Sequence, residues 1–185
     1  MPIRNMTLAG LFAALIAISS QISVPIGPVP HTLQVFFVML AGIILGGRWG
    51  FVSVLVWIAL GAFGLPVFYQ GKAGLMHILG PTGGFMFGFA LCALLVGWLT
   101  GRARLGFGKT FLILLLGLAV IYAVGLTGFM ASFAFFLKKP MGLDKALSLA
   151  VLPFLPFDAV KAALAAYVGV KVRRSLMMAG YIQER

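Results

Sequence analysis

Six apolar runs follow one another along the chain with only short connections between them. They are Met6–Ile22, Thr32–Gly46, Phe51–Phe68, Gly83–Thr100, Thr110–Leu137 and Pro156–Val172. A membrane-spanning helix needs about 20 apolar residues. The second run is short and must borrow flanking residues. The fifth is long and interrupted by Gly117, Gly125 and Gly128, which predicts a tilt or a kink. Of the 185 residues, 62% are hydrophobic and only 9% charged, too few charges to cover a soluble surface. The expectation is an all-α membrane protein: a compact bundle of six transmembrane helices with capping outer loops, forming one domain over residues 1–185. The N-terminal run lacks the small-residue cleavage site of a secretory signal near Ser19–Ile22.

The net charge of +11 raises the question of nucleic acid, but the basic residues are scattered over short connections instead of gathered on one face. Orientation accounts for them better. With the N-terminus inside, the inner segments carry Arg4, Arg48, Arg102, Arg104, Lys109, Lys171, Arg173, Arg174 and Arg185. The outer ones carry only Lys72, Lys138, Lys139 and Lys145. Excess positive charge marks the cytoplasmic side, so both termini are expected in the cytoplasm and the chain in the cell membrane. The outer connections are then SVPIGPVPHT, stiffened by Pro25, Pro28 and Pro30; Tyr69–Thr82; and Lys138–Leu155, with a short surface helix from about Asp144. Leu75, Met76, Ile78 and Leu79 would face water unless Tyr69–Thr82 folds down as a cap; the alternative is an ordinary connecting loop.

Within the last run, Asp158 and Lys161 stand three residues apart, so on a helix both project from one face. Ionisable groups at membrane depth are costly and usually face a protein interior or a wet cavity. Pro156 suits the first helical turn, which puts Asp158 close to the partial positive charge of a helix N-terminus. The pair either grips a ligand or simply locks the bundle. Chemistry of other kinds has little to work with. Cys92 is the single cysteine, Asp and Glu number three with Glu184 near the tail, and no His, Cys or carboxylate set has metal-ligand spacing. No nucleophile elbow and no phosphate-cradling loop is present, so the chain is read as a non-enzyme that would use ATP only through other subunits. Ala9, Ala13 and Ala17 form a strip of small residues on the first helix, which suits close approach by another helix, inside the bundle or from outside. The pairs Gly42/Gly46, Gly84/Gly88 and Gly97/Gly101 repeat the spacing and are read as internal packing.

Three stretches carry a family resemblance: PVPHTLQVFFVMLAGIILGGRWG (Pro28–Gly50), LPVFYQGKAGLMHILGPTGGFMFGF (Leu65–Phe89) and PFLPFDAVKAALA (Pro153–Ala165). Together they resemble the BioY family, the biotin-binding S-components of energy-coupling factor transporters. The resemblance runs in order over nearly the whole chain. It implies a six-helix membrane protein that captures biotin near its outer face. The partners it implies are a transmembrane coupling protein and two ATPases, with some members acting alone. The alanine strip is similar to the small-residue motif with which S-components contact the coupling protein. The family motif P-F-L-P-G-D-x-x-K-A is matched except at Phe157, where glycine is usual. The resemblance assigns Asp158 and Lys161 to biotin without fixing which end each touches; by chemistry Asp158 could accept from a ureido N–H, and Lys161 could meet the carboxylate or neutralise Asp158. Gln34, Gln70 and Lys72 are further polar contacts, and Phe36, Phe68, Tyr69 and Leu75 would pack the bicycle. The readings left beside this one are an S-component for another vitamin, a lipid-modifying membrane enzyme, and a scaffold without a ligand.

Overall fold

The computed structural model describes residues 2–24, 29–101 and 106–179. Pro25, Pro28, Arg102, Arg104, Glu184 and Arg185, used above for loop rigidity and charge, lie outside the described residues. Helices dominate: α1 (Pro2–Gln21), α2 (Gln34–Ala62), α3 (Leu75–Ile78), α4 (Gly83–Gly101), α5 (Phe107–Phe135), α6 (Leu143–Ala150) and α7 (Leu155–Met178). A 3-10 turn covers Tyr69–Gly71. The first outer connection closes at its foot as a two-residue antiparallel ribbon, β1 (Ser23–Val24) against β2 (His31–Thr32).

The second and third apolar runs, expected as separate helices, emerge as the two limbs of α2. They are separated at Gly46, whose φ of 78° and ψ of 171° leave the helical region. That conformation is essentially open only to glycine. The chain doubles back there: a Cβ on Gly50 would lie 3.1 Å from the backbone of Ala41. The third run also ends early, because α2 stops at Ala62 and Phe68 lies beyond it. The fifth run, expected to bend at its glycines, is one helix of 29 residues, about 43 Å long at 1.5 Å per residue. Its glycines serve helix contact. A Cβ on Gly128 would lie 2.5 Å from the Cα of Gly84, so α4 and α5 cross backbone to backbone there.

Among the described residues four helices, α1, α2, α4 and α5, are long and apolar enough to cross a membrane. The pair α6 and α7, bent by 51° at their junction, makes a fifth. Outward-facing side chains such as Leu11, Ile18, Leu112, Leu116, Val160 and Leu164 are exposed all round the bundle, an apolar belt that hydrocarbon would cover. The core between the helices holds Ile16, Met39, Ile43, Trp57, Leu114, Ile121 and Phe129.

The alanine strip of α1 does not form an open surface. Ala9 and Ala13 are 2% and 1% exposed and Ala17 is half-buried. The open face of α1 instead carries Thr7, Gly10, Leu11, Ala14 and Ile18.

Candidate site at the opening of the last helix

The site lies at the end of the bundle where α2, α4 and α7 begin. Helix α7 starts at Leu155 with Pro156 in its first turn, which fixes Asp158 within the same turn, as its sequence context implies. Phe157 occupies a helical position and is not among the left-handed residues, so the missing glycine costs nothing locally. Its exposed ring meets His31 edge-on at 5.5 Å.

Asp158 is 2% exposed, and each of its oxygens is hydrogen-bonded. Its Oδ1 accepts from the Lys161 ammonium at 2.7 Å and its Oδ2 from the Tyr122 hydroxyl at 2.7 Å. Lys161 also donates to the backbone carbonyl of Thr32 at 2.7 Å. The arrangement joins α5, α7 and β2 in one network, and it leaves valences. An ionised carboxylate has about four acceptor positions and an ammonium three donors. Two acceptor positions on Asp158 and one donor on Lys161 therefore remain for a ligand.

A small cleft of about 40 Å³ opens onto the pair, walled by Val29, Val35, Phe85, Phe89, Ile121 and Phe154. A second small cleft, also about 40 Å³, shares Val29, Pro30, Thr32, Phe85 and Phe89 with the first and continues to Gln34, Trp57, Tyr69 and Thr82. Apolar walls with a few directed polar groups are the usual makeup of a small-molecule site.

Of the residues expected here, Asp158, Lys161, Gln34 and Tyr69 line the two clefts. Lys72 lines neither cleft but touches a residue that does: its ammonium donates to the Tyr69 hydroxyl at 2.8 Å and lies 4.3 Å from that ring's centre. Four others stand apart. Gln70 is exposed at a positive φ of 54° in the 3-10 turn. Leu75 is 63% exposed, and Met76 and Leu79 face outward with it. Phe36 is half-buried edge-on against Phe37. Phe68 is wholly buried, its ring filling the notch that Gly61 leaves beside Trp57. Backbone pinning explains this: the carbonyl of Val67 accepts from Ser20 and Trp57, and that of Phe68 from Gln21.

Tyr122, Thr82 and His31 join the site without a local sign in the sequence. His31 bonds the Pro153 carbonyl at 3.0 Å and stacks on Phe154 at 3.9 Å, fastening β2 to the elbow before α7. His77 stacks on Phe68 and bonds Thr82 at 3.2 Å. Burial, and secondarily the charge of Lys72, holds the His77 imidazole below its ordinary pKa of 6.5.

With this geometry in view, likeness to known proteins becomes decisive. The BioY family profile matches residues 1–178. The chain belongs to the BioY family. It is 43% identical over 173 residues to a protein of Pyrococcus horikoshii named "Probable biotin transporter BioY", covering 94% of this chain and 98% of the relative. A "Biotin transporter BioY" of Thermotoga maritima is 39% identical over 171 residues, with 92% and 96% coverage. Among solved structures, the S-component for biotin from an ECF-type ABC transporter superposes with a TM-score of 0.82 at 29% identity. That match covers 94% of this chain and 92% of the other. BioY proteins are transporters, not enzymes, and this member is a multi-pass membrane protein.

Proposed function

We propose that the chain captures biotin in the cleft above Asp158 and delivers it inward as the substrate-binding S-component of an energy-coupling factor transporter. The observation that carries this reading is the network of Asp158, Lys161 and Tyr122, buried yet not saturated, inside an apolar cleft. The ureido ring of biotin presents two N–H donors flanking one carbonyl. Asp158 offers acceptors and Lys161 a donor on the same face, which suits that pattern with charge-assisted bonds. The walls of Phe85, Phe89, Ile121 and Phe154 suit the thioether bicycle. Because Lys161 already neutralises Asp158, the pair is matched to a neutral ring.

In this reading the two limbs of α2 count as two crossings and α7 as the last. That gives six spans with both termini in the cytoplasm of the cell membrane. ATP acts only through partner ATPases, and the chain itself carries no cofactor. A transmembrane coupling protein would dock along the open face of α1, where Gly10 and Ala14 allow close approach. The buried Ala9 and Ala13 are poorly placed for that role.

The test is a competition series on purified protein in detergent with labelled biotin as tracer. Unlabelled biotin is expected to displace the tracer first, dethiobiotin next, and thiamine and riboflavin not at all. A protein that retains thiamine or riboflavin in preference to biotin would instead be an S-component for another vitamin.

A further inference from the structure

We infer that a cavity at the end of the bundle opposite Asp158 is a binding site for the phosphate headgroup of an anionic phospholipid. It holds about 510 Å³, more than ten times either cleft beside Asp158. That is within the size range of small-molecule sites. It opens where four helices end: the start of α1, the elbow of α2 at Gly46, the last residue of α4, Gly101, and the final turns of α7. Arg4, Asn5 and Arg173 supply its polar groups, and Leu8, Leu45 and Leu176 are among its apolar ones.

The packing of α7 sets Arg173 in place. Gly169 lets α7 close on α2, since a Cβ there would lie 2.7 Å from the Ile43 side chain. One turn later, Arg173 Nη1 donates to the Thr100 carbonyl at 3.1 Å and reaches that of Ile43 at 3.5 Å. These carbonyls belong to the last turns of α4 and of the first limb of α2, so one guanidinium closes two helix ends. Capping accounts for the position of Arg173. It does not account for so large a cavity beside it, nor for a second guanidinium, Arg4, and the Asn5 amide on the wall that α1 contributes.

The charge around the cavity is of one sign. The two acids among the described residues, Asp144 and Asp158, lie at the other end, in α6 and in the first turn of α7. Arg48, Lys109, Lys171 and Arg174 add positive charge at this end. Two arginine forks with no carboxylate beside them among the described residues match a phosphate group. The level and the surroundings select a lipid over a soluble anion. Ends of membrane-crossing helices lie at headgroup depth, and basic pockets between such helices take anionic headgroups. Ile3, Met6 and Met178 are each more than half exposed at this same end, an apolar surface for acyl chains.

The experiment offers lipid-depleted protein in neutral detergent equal amounts of phosphatidylglycerol and phosphatidylcholine with the same acyl chains. Native mass spectrometry reads the lipid retained. Phosphatidylglycerol is expected to be preferred by about tenfold or more, the scale of two basic side chains on one phosphate. Arg4→Gln should cut that preference to about threefold or less. Lys109→Gln and Lys171→Gln remove the same charge from the same end but outside the cavity, and should leave the preference within about twofold of wild type. Leu8→Trp fills the cavity without changing charge and should lower phosphatidylglycerol retention as far as Arg4→Gln does. A melt in lipid-free detergent certifies that each variant is folded, and Arg4→Gln decides the matter if Leu8→Trp is not. Inorganic phosphate in large excess should leave the lipid bound.

Equal retention of the two lipids by the wild-type protein overturns the site. So does a loss of preference in Lys109→Gln or Lys171→Gln as large as in Arg4→Gln, because the attraction would then be diffuse. Displacement of the lipid by inorganic phosphate overturns it as well, in favour of a soluble anion. None of these measurements involves biotin, so their outcome is separate from that of the function proposed above.

Discussion

Lys161 donates to the main-chain carbonyl of Thr32 across 2.7 Å, so the charge that pairs with Asp158 also fastens the β1–β2 ribbon to the last helix. A backbone carbonyl cannot be deleted by a side-chain change. The bond therefore makes the position of the ribbon, and with it Val29 and Pro30 in both cleft walls, a function of Lys161.

Removing one member of the pair should harm the fold as well as binding. Lys161→Met strands a buried carboxylate, at a cost on the order of 3–5 kcal/mol for a fully buried pair and less here because Lys161 is partly exposed. The double variant Asp158→Asn/Lys161→Met is expected to recover part of the lost melting temperature in detergent while binding no biotin. A double variant less stable than Lys161→Met would contradict the pairing argument.

Tyr122→Phe deletes only the hydroxyl that donates to Asp158 Oδ2. Biotin affinity is expected to fall about tenfold, the scale of one hydrogen bond to a charged group, with the melting temperature little changed because the ring stays in place. Isothermal titration alongside a thermal melt reads both quantities.

The crossing of α4 over α5 should tolerate no side chain. Gly84→Val would set its Cβ 2.7 Å from the Cα of Gly128, and backbone cannot yield as a flexible side chain does. The expected outcome is loss of monodisperse protein on size exclusion. Gly10→Ala, where nothing lies within 4 Å, should be neutral or stabilising by up to about 1 kcal/mol.

Acid should loosen the segment over the second cleft. The lowered pKa of His77 means that the native state binds fewer protons than the unfolded chain between that value and 6.5. Its contribution to stability is thus complete above 6.5 and is lost as pH falls through the lowered native value. Melting temperatures measured from pH 7.5 down to 5.5 should decline less steeply for His77→Gln than for wild type.

The two small-residue stripes of α1 separate packing from docking. Ala13→Leu forces extra methylenes into a filled interior and should cost about 1–3 kcal/mol, impairing biotin binding and uptake together. Ala14→Leu, on the open face, should leave binding intact and reduce uptake alone when coupling subunits are present.

What the sequence revealed of the site was the part written locally. Asp158 and Lys161 announced themselves as charges in apolar surroundings, and Pro156 fixed their place in a helix. Gln34 stood out as polar for the same reason. Tyr122 did not, because an aromatic residue inside an apolar helix gives no local sign that its hydroxyl meets an acid 36 positions away. The burial of Phe68 was not legible, because it depends on a notch at Gly61 and on three hydrogen bonds that pin the carbonyls of Val67 and Phe68. The burial of the strip Ala9/Ala13/Ala17 was not legible, for a geometric reason. Gly10/Ala14 has the same spacing one residue along, about 100° round the helix, and only tertiary packing decides which stripe turns inward. The fold was legible in its apolar runs. The turn-back at Gly46 depends on a backbone conformation that hydropathy does not encode.

The most direct test of the account is a crystal structure of the purified protein with biotin bound. The ureido ring is expected within hydrogen-bonding distance of both Asp158 and Lys161, with the bicycle against Phe85 and Phe89. Biotin found elsewhere, with Asp158 and Lys161 still bonded only to each other and to Tyr122 and Thr32, would contradict it.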